Sequence, residues 1–136
     1  MSEFTFKEVK NNLDPEDSLR ISRSGGRIHS FITVFKFTDK DTNQIISYCP
    51  AFDISGYGEN EDKALEMLKF SISEYFNYLI STLSNKQMEA ELRQLGWKQS
   101  TFRHKNYSKA YVDINGELQN LNAVDNKVEI MTLQTA

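Results

Sequence analysis

Leu65, Leu68, Ile72, Tyr75, Phe76, Leu79 and Leu83 recur at intervals of three and four, the spacing that lines up side chains along one side of an α-helix. This stripe constrains the chain more than any other feature. It predicts a helix from about Asn60 to Leu83, about 35 Å long at about 1.5 Å per residue, with Asn60 as N-cap and Glu61 and Asp62 in the first turn, where the helix dipole favours negative charge. An apolar side of that length requires a sheet to cover. Met67, Phe70 and Ile80 fall partly off the stripe, so a second element or a second subunit is expected there and the chain is expected to be a homo-oligomer, a dimer or larger.

The sheet is sought first upstream. Ile28, Phe31, Ile32, Val34, Phe35 and Phe37 are dense in β-branched and aromatic residues and predict a strand ending near Thr38. The polar run Asp39 to Asn43 reads as a turn, and Gln44 to Phe52 as a second strand paired antiparallel to the first. Pro50 removes a backbone donor at the end of that strand, so a bend is expected. Asp53 to Gly58 then reads as a short third strand. Before Ile28, the Asn11-Asn12, Asp14-Pro15 and Gly25-Gly26 pairs predict an ordered start at most, followed by a mobile turn.

Downstream, Ser84 and Gln87 form a capping-box pattern that restarts a helix, and Met88, Leu92 and Leu95 continue it until Gly96. Strands are expected over residues 97–107, 110–114 and 127–133, with Asn115-Gly116 as a hairpin turn and 120–126 irregular. The expected fold is therefore α+β: a small antiparallel sheet in a β-β-β-α core over 28–83, packed on one long helix, with a short helix and a β-rich extension over 84–136. At 136 residues the chain is expected to be a single domain.

With 39% hydrophobic and 12% aromatic residues against 26% charged, the composition is that of a chain that folds. Net charge is −3, too small to imply a partner of either sign, so any nucleic-acid role must rest on a local patch. No run approaches the roughly 20 apolar residues of a membrane span, and Met1 to Phe4 carries no basic region followed by an apolar run. A cytoplasmic address is expected. One cysteine, Cys49, and two distant histidines, His29 and His104, offer neither a disulfide nor a metal-ligand cluster, so no cofactor or metal is expected.

Catalytic readings find weak footing. Cys49 in an apolar strand reads as a buried small hydrophobe. Ser55 follows only part of a Gly-x-Ser-x-Gly elbow, because Asp53 stands where the first glycine belongs. Gly56-Tyr57-Gly58 lacks the length and the lysine of a phosphate loop. A metal-dependent nuclease needs converging carboxylates; Asp53, Glu66 and Glu74 are the scattered candidates, with Glu66 and Glu74 read as a solvated helix face. No enzymatic activity is expected.

The segment Ile46 to Leu68, ISYCPAFDISGYGENEDKALEML, resembles the HicB-like antitoxin family: a strand into a proline, a short glycine-containing strand, an acidic helix start with a central alanine, and a long amphipathic helix. Pro50, Asp53, Gly56, Gly58, Ala64 and Leu65 carry the likeness, in shaping roles. It covers roughly Ile28 to Leu83 and implies a partial RNase H-like fold. It also implies a non-catalytic protein that binds and neutralises a HicA-type mRNA-cleaving toxin in a toxin–antitoxin system. Family members often end in a DNA-binding segment of short helices, whereas residues 97–136 read as β-rich here, which sets DNA binding apart from the likeness.

One local patch offers an alternative. From Trp97 to Ala110, Lys98, Arg103, His104, Lys105 and Lys109 occur without an acidic residue and are interleaved with Trp97, Phe102 and Tyr107. Cations meet phosphates and rings stack on bases, so a solitary RNA-binding or regulatory module is the competing expectation, with RNA, DNA or an acidic protein surface as the partner. Against it, Trp97 directly follows the helix-ending Gly96 and can pack back on Leu92.

Overall fold

In the computed structural model, the described residues are 4–9, 16–99, 103–106, 124 and 128–135. Among them the fold is α+β, with an antiparallel sheet and two helices. The organising element is a long strand, β3 (Arg27–Thr38). Its first half pairs with β2 (Glu16–Ser22), and its last four residues pair with β4 (Ile45–Cys49). On its other edge residues 31–36 pair with β8 (Glu129–Thr135), which in turn pairs with β1 (Phe6–Val9). The short β5 (Ile54–Gly58) pairs with β4. Beyond β2 lie β7 (Arg103–Asn106) and β6 (Lys98–Gln99). The path is β1-β8-β3-β2-β7-β6, with β4 and β5 branching from β3.

Because β2 and β4 share one edge of β3, the sheet forks, and among the described residues β3 positions 32–34 have no strand partner on that side. Asp17 fills the fork. Its Oδ1 accepts hydrogen bonds from Thr33 N at 2.9 Å and Thr33 Oγ1 at 2.7 Å, and the residue is 2% exposed. A buried backbone N–H left unpaired is costly, and the Asp17 carboxyl oxygen takes the place of the missing strand's acceptor.

α1 (Glu61–Ser81) lies across β4 and β5, and its N-terminus is capped by Asn60 as the sequence predicts. Leu65, Leu68, Ile72, Phe76 and Leu79 are buried, while Tyr75 and Leu83 pack at the margin of the core. α2 (Asn85–Gln94) begins with the complete Ser84–Gln87 capping box. Tyr75 Oη donates to Glu91 Oε1 at 3.0 Å and ties the helices together. Burial, reinforced by that carboxylate, holds the Tyr75 phenol well above its ordinary range.

The last turn of α1 contains no basic residue. The β2–β3 turn supplies one: the Arg23 guanidinium donates to Ile80 O at 3.3 Å and to Leu83 O, meeting carbonyls that a helix end leaves unsatisfied. Arg23→Met, which keeps the stem and removes the donors, is expected to lower stability by about 1–2 kcal/mol. The check is a urea midpoint at unchanged m-value; an unaltered midpoint contradicts this capping role.

Two expectations are corrected here. The segment before Ile28 is not merely an ordered start and a mobile turn: it supplies β1 and β2, with β2 inside the sheet between β3 and β7. Likewise the C-terminal part is no appendage to 28–83, because β8 sits between β1 and β3 and contributes the buried Met131 and Leu133 to the core. The expected strand over 97–107 is two short strands, β6 and β7. The expected strand at 110–114, the Asn115-Gly116 turn and the irregular stretch 120–126, Val124 aside, lie outside the described residues.

Candidate functional site

Strand alternation gives the sheet two faces. Ile28, Ile32 and Val34 of β3, with Cys49 of β4, turn toward the buried core, and so do Gly56 and Gly58 of β5 by their register. The two glycines matter because the helix lies against them. A Cβ on Gly56 would meet the backbone oxygen of Ala64 inside contact distance and Leu68 N at 2.5 Å; one on Gly58 would lie 2.7 Å from Lys63 Cβ and 2.9 Å from Ala64 N. Gly56, Gly58 and the buried Ala64 therefore set how closely β5 and α1 approach, and Leu65 anchors the first buried turn.

The bend between β4 and β5 is built by Pro50, Ala51, Phe52 and Asp53. Asp53 has φ 55°, a left-handed conformation that aspartate tolerates better than most residues. Its Oδ1 accepts from Tyr48 Oη at 2.8 Å on the exposed side of the turn. Glu66 and Glu74 lie on the exposed side of α1. Among the described residues no three His, Cys, Asp or Glu side chains are placed to hold one metal ion, and no helix is long and apolar enough to cross a membrane. Cys49 is fully buried in the core.

Trp97 takes a structural place. Gly96 has φ 97°; its N–H donates to Arg93 O at 3.0 Å and Trp97 N–H donates to Leu92 O at 3.0 Å, which together close α2 in a Schellman motif. The indole is 4% exposed, stacks on Phe52 at 5.5 Å, and donates from Nε1 to Ala51 O at 3.0 Å. Trp97 is thereby corrected from a candidate partner-binding residue to a core residue that pins the Pro50–Asp53 bend. Lys98 is exposed. Arg103, His104 and Lys105 lie on β7, with His104 in register between Lys98 of β6 and Ser18 of β2. Phe102, Tyr107 and Lys109 lie outside the described residues.

Two surfaces emerge that the sequence does not single out as sites. Among the described residues β5 pairs with β4 alone, and its outer edge has no strand partner there. Tyr57 N–H donates to Met67 Sδ at 3.5 Å, a weak acceptor. Tyr57, Met67 and Phe70 are exposed beside that edge, Phe70 by 67%. The second surface is a groove of about 270 Å³ lined by residues 18–20 of β2, 29–31 of β3 and 134–135 of β8; along β3 it gives way to Thr33 and Phe35, which share Phe31's side of the strand and are buried. The off-stripe positions of Met67 and Phe70 are a signal for the first surface; the second combines distant strands and carries no local signal.

No family model, no curated protein and no solved structure matches this chain.

Proposed function

We propose that this chain is a non-catalytic binding domain of the HicB-like antitoxin type, which grips a small partner protein such as a HicA-type, mRNA-cleaving toxin and neutralises it. The reading takes β3, β4, β5 and α1 as the partial RNase H-like core that the resemblance implies, and it places the protein in the cytoplasm, where such a toxin acts. Pro50, Asp53, Gly56, Gly58 and Ala64, which carry the likeness, all serve the bend and the strand–helix approach, so they shape the core and perform no chemistry.

The observation that carries the proposal is the open edge of β5 beside Tyr57, Met67 and Phe70. An unpaired edge offers a row of backbone donors and acceptors, and soluble proteins ordinarily blunt such edges with charge, proline or a bulge. Ile54–Gly58 contains no charged residue and no proline. An extended segment of a partner can add to this edge, with the exposed rings and methionine as its apolar anchor.

The test is co-expression with the product of the neighbouring reading frame, expected to be short, rich in lysine and to carry Gly-Ser-His. A 1:1 complex is expected. Phe70→Asp should weaken it about thirtyfold or more, the effect of a central interface anchor worth about 2 kcal/mol, with the circular dichroism spectrum unchanged. Absence of a co-purifying neighbour, or a complex indifferent to Phe70→Asp, defeats the reading. Sedimentation of the isolated chain separates a foreign partner from a second copy on the same edge.

A further inference from the structure

The groove between β2, β3 and β8 touches the core only at Leu19 and is separate from the β5 edge. Its residues come together through register. Arg27, His29 and Phe31 alternate with the buried Ile28, Ser30 and Ile32 along β3 and are exposed, Phe31 by 38%. Across the ladder Arg27 faces Ser22, His29 faces Arg20 and Phe31 faces Ser18. On the other edge Phe31 faces Gln134, which faces Lys7 of β1. Continuing the same row outward, Ser18 faces His104, which faces Lys98.

A transverse row therefore runs Lys98, His104, Ser18, Phe31, Gln134, Lys7, with Arg20, His29 and Arg27 beside it. The described residues lining the groove include no carboxylate, and among the described residues Arg20, Arg27 and Lys98 are in no ion pair.

We infer that this face is a binding site for single-stranded nucleic acid, with Phe31 as the ring on which a base stacks and Arg20, Arg27, Lys98 and Lys7 as its phosphate contacts. The chemistry selects that ligand. A partly exposed ring lining a groove accepts the flat face of an unpaired base, which a duplex keeps inside its own stack. Cations on both sides of the ring suit a backbone crossing the strands. His29 and Gln134 offer hydrogen-bonding groups at the edges of the stacked base. With a net charge of −3 the molecule as a whole does not attract nucleic acid, so binding rests on local cations.

The experiment is fluorescence anisotropy of the full chain with labelled oligouridine RNA and oligothymidine DNA of about twelve nucleotides, within the span that small single-strand-binding folds occupy. Saturable binding is expected, weakening about fiftyfold between about 50 and 200 mM salt as the four cations engage four phosphates. Phe31→Ala should weaken it about fivefold or more, Phe31→Tyr should restore it, and Arg20→Glu should flatten the salt dependence. Each variant is compared at matched thermal midpoint.

Binding of RNA alone identifies a ligand read through its 2′-hydroxyls, and equal binding of both identifies recognition by stacking and phosphate; either outcome supports the site. No binding at low salt, or binding that Phe31→Ala and Arg20→Glu leave intact, overturns it. Displacement by polyglutamate together with indifference to Phe31→Ala indicates an acidic protein surface and overturns it equally. Phe70→Asp should leave this binding unchanged, so failure here is distinguishable from failure of the β5 interface.

Discussion

Trp97→Ala is expected to lower stability by about 4 kcal/mol, within the range for removing a large buried aromatic side chain. The indole fills the contact with Phe52 and donates to Ala51 O, so alanine leaves a cavity and removes that hydrogen bond. Trp97→Phe, which keeps a ring against Phe52 and removes only the Nε1 donor, should cost about 1–2 kcal/mol. Urea unfolding followed by far-ultraviolet circular dichroism measures both. Tryptophan fluorescence gives an independent check, because Trp97 is the chain's single tryptophan and its emission should be blue-shifted and poorly quenched by acrylamide. A stability loss below about 1 kcal/mol for Trp97→Ala, on the same scale, combined with loss of oligonucleotide binding, would return this residue to the surface role that its basic neighbourhood suggests.

The second large effect is at Gly56. Gly56→Ala adds one methyl group, and that methyl falls against the Ala64 carbonyl and the Leu68 amide, neither of which can rotate aside. The helix must move off the sheet. Overpacking of a tight core costs about 1–3 kcal/mol and occasionally more; because the obstruction is backbone, about 3 kcal/mol is expected, with a matching fall in soluble yield. Gly58→Ala should cost less, about 2 kcal/mol, since its nearest obstructions, Lys63 Cβ at 2.7 Å and Ala64 N at 2.9 Å, stand slightly farther off than those at Gly56. A Gly56→Ala protein as stable as the parent would mean that α1 does not lie against β5 as described.

The two proposed binding surfaces are set on different parts of one sheet. The β5 edge and Phe70 belong to the branch covered by α1, whereas Phe31, Arg20 and His29 belong to the groove between β2, β3 and β8. Neither borrows a residue from the other. A protein partner and a nucleic acid can therefore be tested by separate substitutions, and the core substitutions at Trp97 and Gly56 serve as controls for damage that reaches both.

Much of α1 and α2 is legible in the residues because the forces that start and stop a helix act within a few positions. Asn60 meets the amide of Lys63, Ser84 and Gln87 cap each other, and Gly96 takes the positive φ that ends α2. The β3–β4–β5 succession is equally local, joined by short turns that Asp39, Asn43 and Pro50 announce. β2 is less legible: Leu19 and Ile21 alternate with polar neighbours, but the third inward position is Asp17, an acid whose burial makes sense only once Thr33 stands beside it. β8 reads as a strand, yet nothing near it indicates that it pairs with the middle of β3.

The sites divide along the same line. Lys98 and the glycines of β5 can be picked out by eye, because charge runs and glycine pairs are written consecutively. Phe31, Arg20 and Gln134 lie far apart in the chain and meet only through strand register. What the sequence determined unaided is each element bounded by caps, turns and a single period. What tertiary structure alone decided is the fork at Asp17, the burial of Trp97 and the row across the strands, since all three depend on which strands pair, and pairing is fixed by long-range burial that no local window contains.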